Sequence, residues 1–343
     1  MKPIHGALVA TALALSVTPA WAEGKLNVYN WGDYINPEVL DRFAEEFGVD
    51  VSLDTYSSNE EMLAKIQAGA TGYDIIFPSV HMQDIMMSLG LLAKTDNNQA
   101  ADFGNIDPDS LFAKTDPNGE YCLPYAWGTV GIVYNKTLVP ELSSWEEFFA
   151  IPETTGGKIT LLDDMREVMA VGLIMTGHSV NTAEPEHVAE ATDYLLAQAE
   201  KVSAYTYDTQ ALIASGDIAA GHFFVGVNIL VKERPDELGY VIPTEGATMY
   251  QENICVLKSA PNKENAIKFL EFYLQPEIAA LNVSQQMNGT PNVPARALTP
   301  DFIKDDPNIT PDAATMERLQ IFEELGGALR MYDRAWNRVR TAQ

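Results

Sequence analysis

Cationic side chains are scarce in this chain: 22 Lys and Arg stand against 48 Asp and Glu, for a net charge of −26. Such a surface repels nucleic acid and anionic bilayers and favours a positively charged ligand, although solvation of the surface is the plainer account of the acidity. Histidine is scarcer still, five in all with no ligand spacing among them, so no metal and no cofactor is expected. The sequence has no nucleophile elbow, phosphate loop, H-E-x-x-H pair or paired C-x-x-C. Gly156-Gly157-Lys158 lacks the upstream glycine of a phosphate loop, and catalysis is therefore not expected. Past residue 22 no apolar run approaches the roughly 18 residues that a membrane-crossing helix needs. Only two cysteines occur, Cys122 and Cys255, each in a strand-like run. Two buried thiols are the ordinary reading of that pair, and a bridge is the alternative in a compartment where disulfides persist.

Residues 1–22 read as a secretory signal peptide, because Lys2 and His5 precede the apolar segment Gly6 to Val17 and Ala20-Trp21-Ala22 is a small-x-small cleavage site. A soluble, exported protein is implied, with no cysteine after the apolar segment to carry a lipid. The remaining chain of about 320 residues exceeds what one hydrophobic core usually serves, so two domains are expected.

The stretch Tyr29-Asn30-Trp31-Gly32-Asp33-Tyr34-Ile35-Asn36-Pro37 joins a strand to a helix. The apolar run Leu26 to Tyr29 leads in, Asn36 can cap, Pro37 fits the first turn, and Glu38 suits the positive end of the helix dipole. In an open α/β sheet, ligands sit at the loops leaving the carboxyl ends of strands. This loop offers an indole, a carboxylate and a phenol, a set suited to an organic cation. The competing reading makes Trp31 and Tyr34 core aromatics and Asp33 a turn residue.

A βαβα beginning follows. Leu40, Phe43 and Phe47 share a helix face that stops at Gly48, Val49 to Leu53 alternate as a strand, and Asn59 is expected to cap a helix running through Ile66. Tyr73 to Ser79 reads as a buried parallel strand stopped by Pro78, with Ser79, Val80 and His81 in the loop beyond it. The run Leu123 to Asn135 is long enough to pass from one domain into the next. A second α/β series succeeds it, with a capping box from Ser144 to Glu147, a strand Lys158 to Leu162 and a helix Asp164 to Met175. Tyr240 to Gly246 and Tyr250 to Leu257 read as strands returning to the first domain. A last helix is expected from about Asp312 to Arg340.

Asp164 and Glu167 share the start of one helix, where capping and an anionic rim for an ammonium are competing readings; two carboxylates would also suit a glycosidase. Tyr250 and Glu252, two apart in a strand, face the same way. Phe223 and Phe224 precede Gly226, and one of them points into the sheet.

Taken in order, Tyr29-Asn30-Trp31-Gly32-Asp33-Tyr34, Ser58-Asn59-Glu60-Glu61-Met62, Tyr73-Asp74 to Pro78-Ser79, Leu123-Pro124-Tyr125-Ala126-Trp127-Gly128, Leu162-Asp163-Asp164-Met165-Arg166-Glu167-Val168 and Thr290-Pro291-Asn292 resemble the periplasmic spermidine/putrescine-binding proteins, which deliver polyamines to an ABC importer. The likeness spans nearly the whole chain after residue 22. It implies an α/β, two-lobed periplasmic binding protein fold with crossing hinge strands. The first lobe would take residues 23–129 and 247–295, and the second 130–246 and 296–343. Carried over residue by residue, Trp31, Asp33 and Tyr34 form one wall with Ser79 and His81 beside them, and Asp164 and Glu167 meet an amine from the other lobe. Glu252 stands where the family usually has aspartate, and Tyr250 where it has tryptophan or phenylalanine. Phe224 replaces a tryptophan, Asn288 a clamping tyrosine, Phe322 a polar group and Gly32 a hydroxyl residue.

The expected function is capture of putrescine or spermidine in an interlobe cleft and delivery to an inner-membrane ABC permease. The protein would be a periplasmic monomer, without catalysis and without nucleic acid. Capture of a monocationic or quaternary amine is the alternative within that class. A sensing adaptor for a membrane receptor and an exported hydrolase built on Asp164 and Glu167 are alternatives outside it.

Overall fold

A computed structural model describes residues 24–70 and 72–342. The leader expected over residues 1–22 lies outside the described residues. The written-out junction after the first strand folds as its residues dictate. The Asn36 side chain accepts from the Glu38 N–H at 3.0 Å, Pro37 opens the helix Pro37–Phe47, and Gly48 closes it in the left-handed region at φ 63°.

The strands are β1 (Lys25–Trp31), β2 (Asp50–Tyr56), β3 (Ile75–Ile76), β4 (Cys122–Asn135), β5 (Ile159–Leu161), β6 (Val202–Tyr205), β7 (Ala220–Phe224), β8 (Leu238–Val241), β9 (Ala247–Val256) and β10 (Leu319–Ile321). Their order is β2-β1-β3-β9-β4-β7-β5-β6, with β10 on β9 and β8 on β4. The pairs β1–β2, β1–β3, β5–β6 and β5–β7 are parallel, as helical crossovers require. β4 and β9 run antiparallel through the middle, from Cys122 opposite Cys255 to Val130 opposite Thr248. One end of that pair joins β3, and the other end joins β7, β8 and β10. Each half has its own apolar core. Phe43, Phe77, Tyr125 and Phe269 anchor one, with Tyr29 and Met62 on the opposite face of its sheet. Trp145, Phe148, Met169 and Trp336 anchor the other, backed by Val133, Val225 and Met249.

Four expectations need correction. Cys122 and Cys255 are bridged rather than free, with S–S at 2.02 Å and Cα atoms 4.5 Å apart. They stand directly opposite in the β4–β9 register, a relation between residues 133 apart in sequence. Ser58, not Asn59, caps the helix Asn59–Gln67, accepting from the Glu61 N–H at 3.1 Å. His81 lies in the first turn of the helix Val80–Ser88 rather than in a loop. The single last helix is broken: a turn of helix Ala313–Met316, β10 paired to β9, and Gly326-Gly327 precede the helix Leu329–Arg340. Local helix preference there loses to an open edge of β9.

Candidate functional site

Two buried carboxylates, Glu252 and Glu167, organise the site, and β9 touches both. Glu252 is 6% exposed. Its Oε2 accepts from the Tyr34 hydroxyl at 2.7 Å and its Oε1 from the Ser79 hydroxyl at 3.3 Å. Asn59 donates to Ser79 at 2.9 Å, and the Ser79–Glu252 backbones form an isolated antiparallel bridge that brings that loop onto β9. On the other side Asn288 donates to the Tyr34 oxygen at 3.2 Å and accepts from the Tyr250 hydroxyl at 2.8 Å. Asn59, Ser79, Glu252, Tyr34, Asn288 and Tyr250 thus form one chain of hydrogen bonds. Burial pushes the Glu252 carboxyl up to about 7 despite its hydroxyl donors, because those neutral dipoles replace water incompletely. Burial and the Glu252 charge hold the Tyr34 and Tyr250 phenols protonated, so both remain hydrogen-bond donors.

Tyr250 stands between the two acids. Its ring lies over Gly128, where an added Cβ would be 2.3 Å from the phenol oxygen, and Phe224 meets it edge-on with centroids 5.6 Å apart. Only glycine lets the ring lean onto the neighbouring strand here.

Glu167, 5% exposed, sits in the first turn of the helix Met165–Met175. Thr248, four residues before Glu252 and on the same face of β9, donates to its Oε2 at 2.6 Å. Burial first, then the Asp164 charge, push this carboxyl up to about 8, against the opposing pull of Thr248 and Arg166. Asp164 fulfils the capping reading. One oxygen caps the helix, accepting from the Arg166 and Glu167 N–H groups at 2.8 and 3.0 Å, and the other accepts from the exposed Tyr207 hydroxyl at 3.1 Å.

The remaining expected residues fall outside these clusters. Trp31 donates its indole N–H to the Phe77 carbonyl at 2.8 Å and tilts against Tyr56 with centroids 4.8 Å apart, which leaves the indole no N–H for a ligand. Asp33 is exposed, in left-handed backbone at φ 54°, and belongs to neither cluster. His81 faces Phe322 edge-on at 6.5 Å, and Phe322 in turn lies 4.4 Å beneath the Arg166 guanidinium. Burial, with Arg166 nearby, lowers the His81 imidazole to about 4, so it is neutral at ordinary pH. Thr248, Tyr207 and Asn59 are participants that sequence reasoning missed. The alternation 248, 250, 252 along β9 carried a signal for Thr248; Tyr207 lay in a tyrosine-rich loop with none.

Among the described residues no cluster of His, Cys, Asp and Glu is placed to hold a metal, and no helix is long and apolar enough to cross a membrane. The arrangement can take up positive charge at two points with aromatic surface between them. The chain is similar to the spermidine/putrescine-binding periplasmic protein of Escherichia coli K12, 32% identical with 98% of each chain covered. It is likewise similar to the putrescine/cadaverine-binding protein of Pseudomonas aeruginosa PAO1, 31% identical with 97% of each covered. Among solved structures, it superposes on the spermidine/putrescine ABC transporter substrate-binding protein of Streptococcus pneumoniae with a TM-score of 0.84, 34% identity, and 93% of this chain and 99% of that chain covered. Residues 38–311 match the family model of bacterial extracellular solute-binding proteins, and with that breadth of match the chain belongs to this family of solute binders, which are not enzymes.

Proposed function

We propose that the protein captures a short polyamine, putrescine or spermidine, in the cleft between its two halves and hands it to an ABC permease. The observation that carries this reading is the pair of buried carboxylates along one strand, Glu252 and Glu167, with the Tyr250 ring between them. Burial favours the protonated form of each, and an ammonium at each would supply the missing countercharge. The polymethylene chain between the amines would pack on Tyr250 and Phe224. The names of the similar proteins add support for the ligand class.

The first lobe on this reading is 23–129 with 247–295 and the second 130–246 with 296–343; β4 and β9 cross between them as the hinge. Tyr34 and Ser79 line one wall, Asp164 and Glu167 the other, and Asn288 ties the phenols that flank Glu252. The protein works as a monomer in the periplasm. A quaternary amine has no N–H to offer these acceptors, so primary amines are favoured. Calorimetric titration against putrescine, spermidine, choline and glycine betaine tests the proposal. Binding of a diamine with contraction of the protein in small-angle scattering is the expected outcome. Absence of heat with every diamine defeats it.

A further inference from the structure

Glu167 has a second neighbour, which the ligand-binding scheme above does not use. His222, on β7, is 1% exposed, and its Nε2 lies 3.8 Å from the Glu167 Oε2 that also receives the Thr248 hydroxyl. The other ring nitrogen, Nδ1, is buried without a hydrogen-bond partner, and the ring stands edge-on to Trp145 with centroids 5.2 Å apart. A proton on Nδ1 would leave a buried N–H unpaired and turn the Nε2 lone pair toward carboxylate lone pairs, two penalties at once. A proton on Nε2 faces an acceptor instead.

We propose that His222 is a positioning residue whose Nε2–H, together with the Thr248 hydroxyl, eases ionisation of the Glu167 carboxyl and aims it at the ligand ammonium. The separation is longer than a hydrogen bond, so the coupling is that of a charge with a nearby dipole, which a dry interior strengthens. Burial pushes the imidazole down to about 3, so it acts as a neutral donor and never competes with the ammonium as a rival cation. The other groups acting on Glu167 are Asp164, which opposes its ionisation, and Arg166, which favours it. The phenols of Tyr207, Tyr240 and Tyr250 feel the Glu167 charge and remain protonated. Behind His222, Glu245 accepts from the Trp145 backbone N–H.

This inference rests on Glu167 being the acid that meets the amine, yet its test separates from that reading. The Glu167 carboxyl is titrated in the ligand-free protein by carbon-13 NMR, with the Glu167→Gln spectrum assigning the signal, and putrescine affinity is then measured from pH 6 to pH 9. His222→Met should raise the Glu167 midpoint by about one pH unit and weaken putrescine about tenfold at pH 7, with affinity returning by pH 9. His222→Gln, which keeps an N–H at the same reach, should fall between the two, and Thr248→Val should shift the midpoint the same way. A Glu167 midpoint unchanged in His222→Met overturns the assignment, even if affinity falls at every pH. If the wild-type protein binds no amine, the proposed ligand fails, while the carboxyl titration still decides the role of His222.

Discussion

Replacing Glu252 with glutamine should make the empty protein more stable and abolish its function, and the sign follows from where the carboxyl titrates. Burial moves it from 4.5 up to about 7. A group whose folded value is raised contributes stability that is full below the unfolded value and is lost as the pH rises through the folded one. The window is therefore pH 4.5 to about 7. At pH 8 the ionised side chain costs the folded state about 3 kcal/mol at 1.36 kcal/mol per unit. Glutamine removes that cost. It also sets one amide N–H against the Tyr34 or Ser79 hydroxyl that now donates to it, a mismatch of about 1 kcal/mol. The net gain at pH 8 is then about 2 kcal/mol, or roughly 3–6 °C in melting temperature for a chain of this size. At pH 5 the gain vanishes or becomes a small loss. Urea unfolding followed by tryptophan fluorescence at both pH values, without ligand, measures the difference. Calorimetry with putrescine should show affinity down by about a hundredfold or more, as expected for breaking a buried charge pair. If Glu252→Gln is no more stable than wild type at pH 8, or gains equally at pH 5, the electrostatic account of the site is wrong.

Both acids carry protons in the empty site near neutrality and would surrender them to an ammonium, so amine binding at pH 7 should release roughly one to one and a half protons. Affinity should climb from pH 6 to beyond pH 8, and titrations in buffers of differing ionisation heat will read the release; a flat profile contradicts it. Gly128→Ala places a Cβ 2.3 Å from the Tyr250 oxygen and 2.8 Å from Val225, so it should displace the ring and weaken amine binding about tenfold, with about 1–3 kcal/mol of destabilisation in the same unfolding assay. Removing the bridge with Cys122→Ala and Cys255→Ala opens a loop of 133 residues and should lower stability by about 4–5 kcal/mol. Mass spectrometry of the native protein after alkylation should find no thiol.

What could be read in the sequence was what is written locally. Asn36-Pro37-Glu38 and Asp164 to Glu167 announce helix starts because the cap and the first-turn acid lie within four residues, with Pro37 added in the first, and both junctions fold as expected. Tyr250 and Glu252 were found by alternation along one strand. What escaped depends on register between distant segments. The cysteine bridge and the isolated Ser79–Glu252 contact exist only because particular strands lie side by side. Alternation puts Thr248 on the face of Tyr250 and Glu252, but the acid it reaches is 81 residues away and is fixed only by tertiary packing. The indole of Trp31 has the composition of a ligand wall, yet its N–H serves a backbone carbonyl, a choice that composition does not disclose.

β9 presents Thr248, Tyr250 and Glu252 on one face, so a single strand carries Glu252 itself and the hydroxyl that anchors Glu167. At about 3.3 Å per residue, Thr248 and Glu252 lie roughly 13 Å apart along the backbone. A pleated strand hardly stretches, so hinge motion can tilt the walls without rescaling that interval. If the two acids meet the ligand as proposed, the strand serves as a molecular yardstick, and a new preference for ligand length would come from side chains that shorten or lengthen the reach at its two ends.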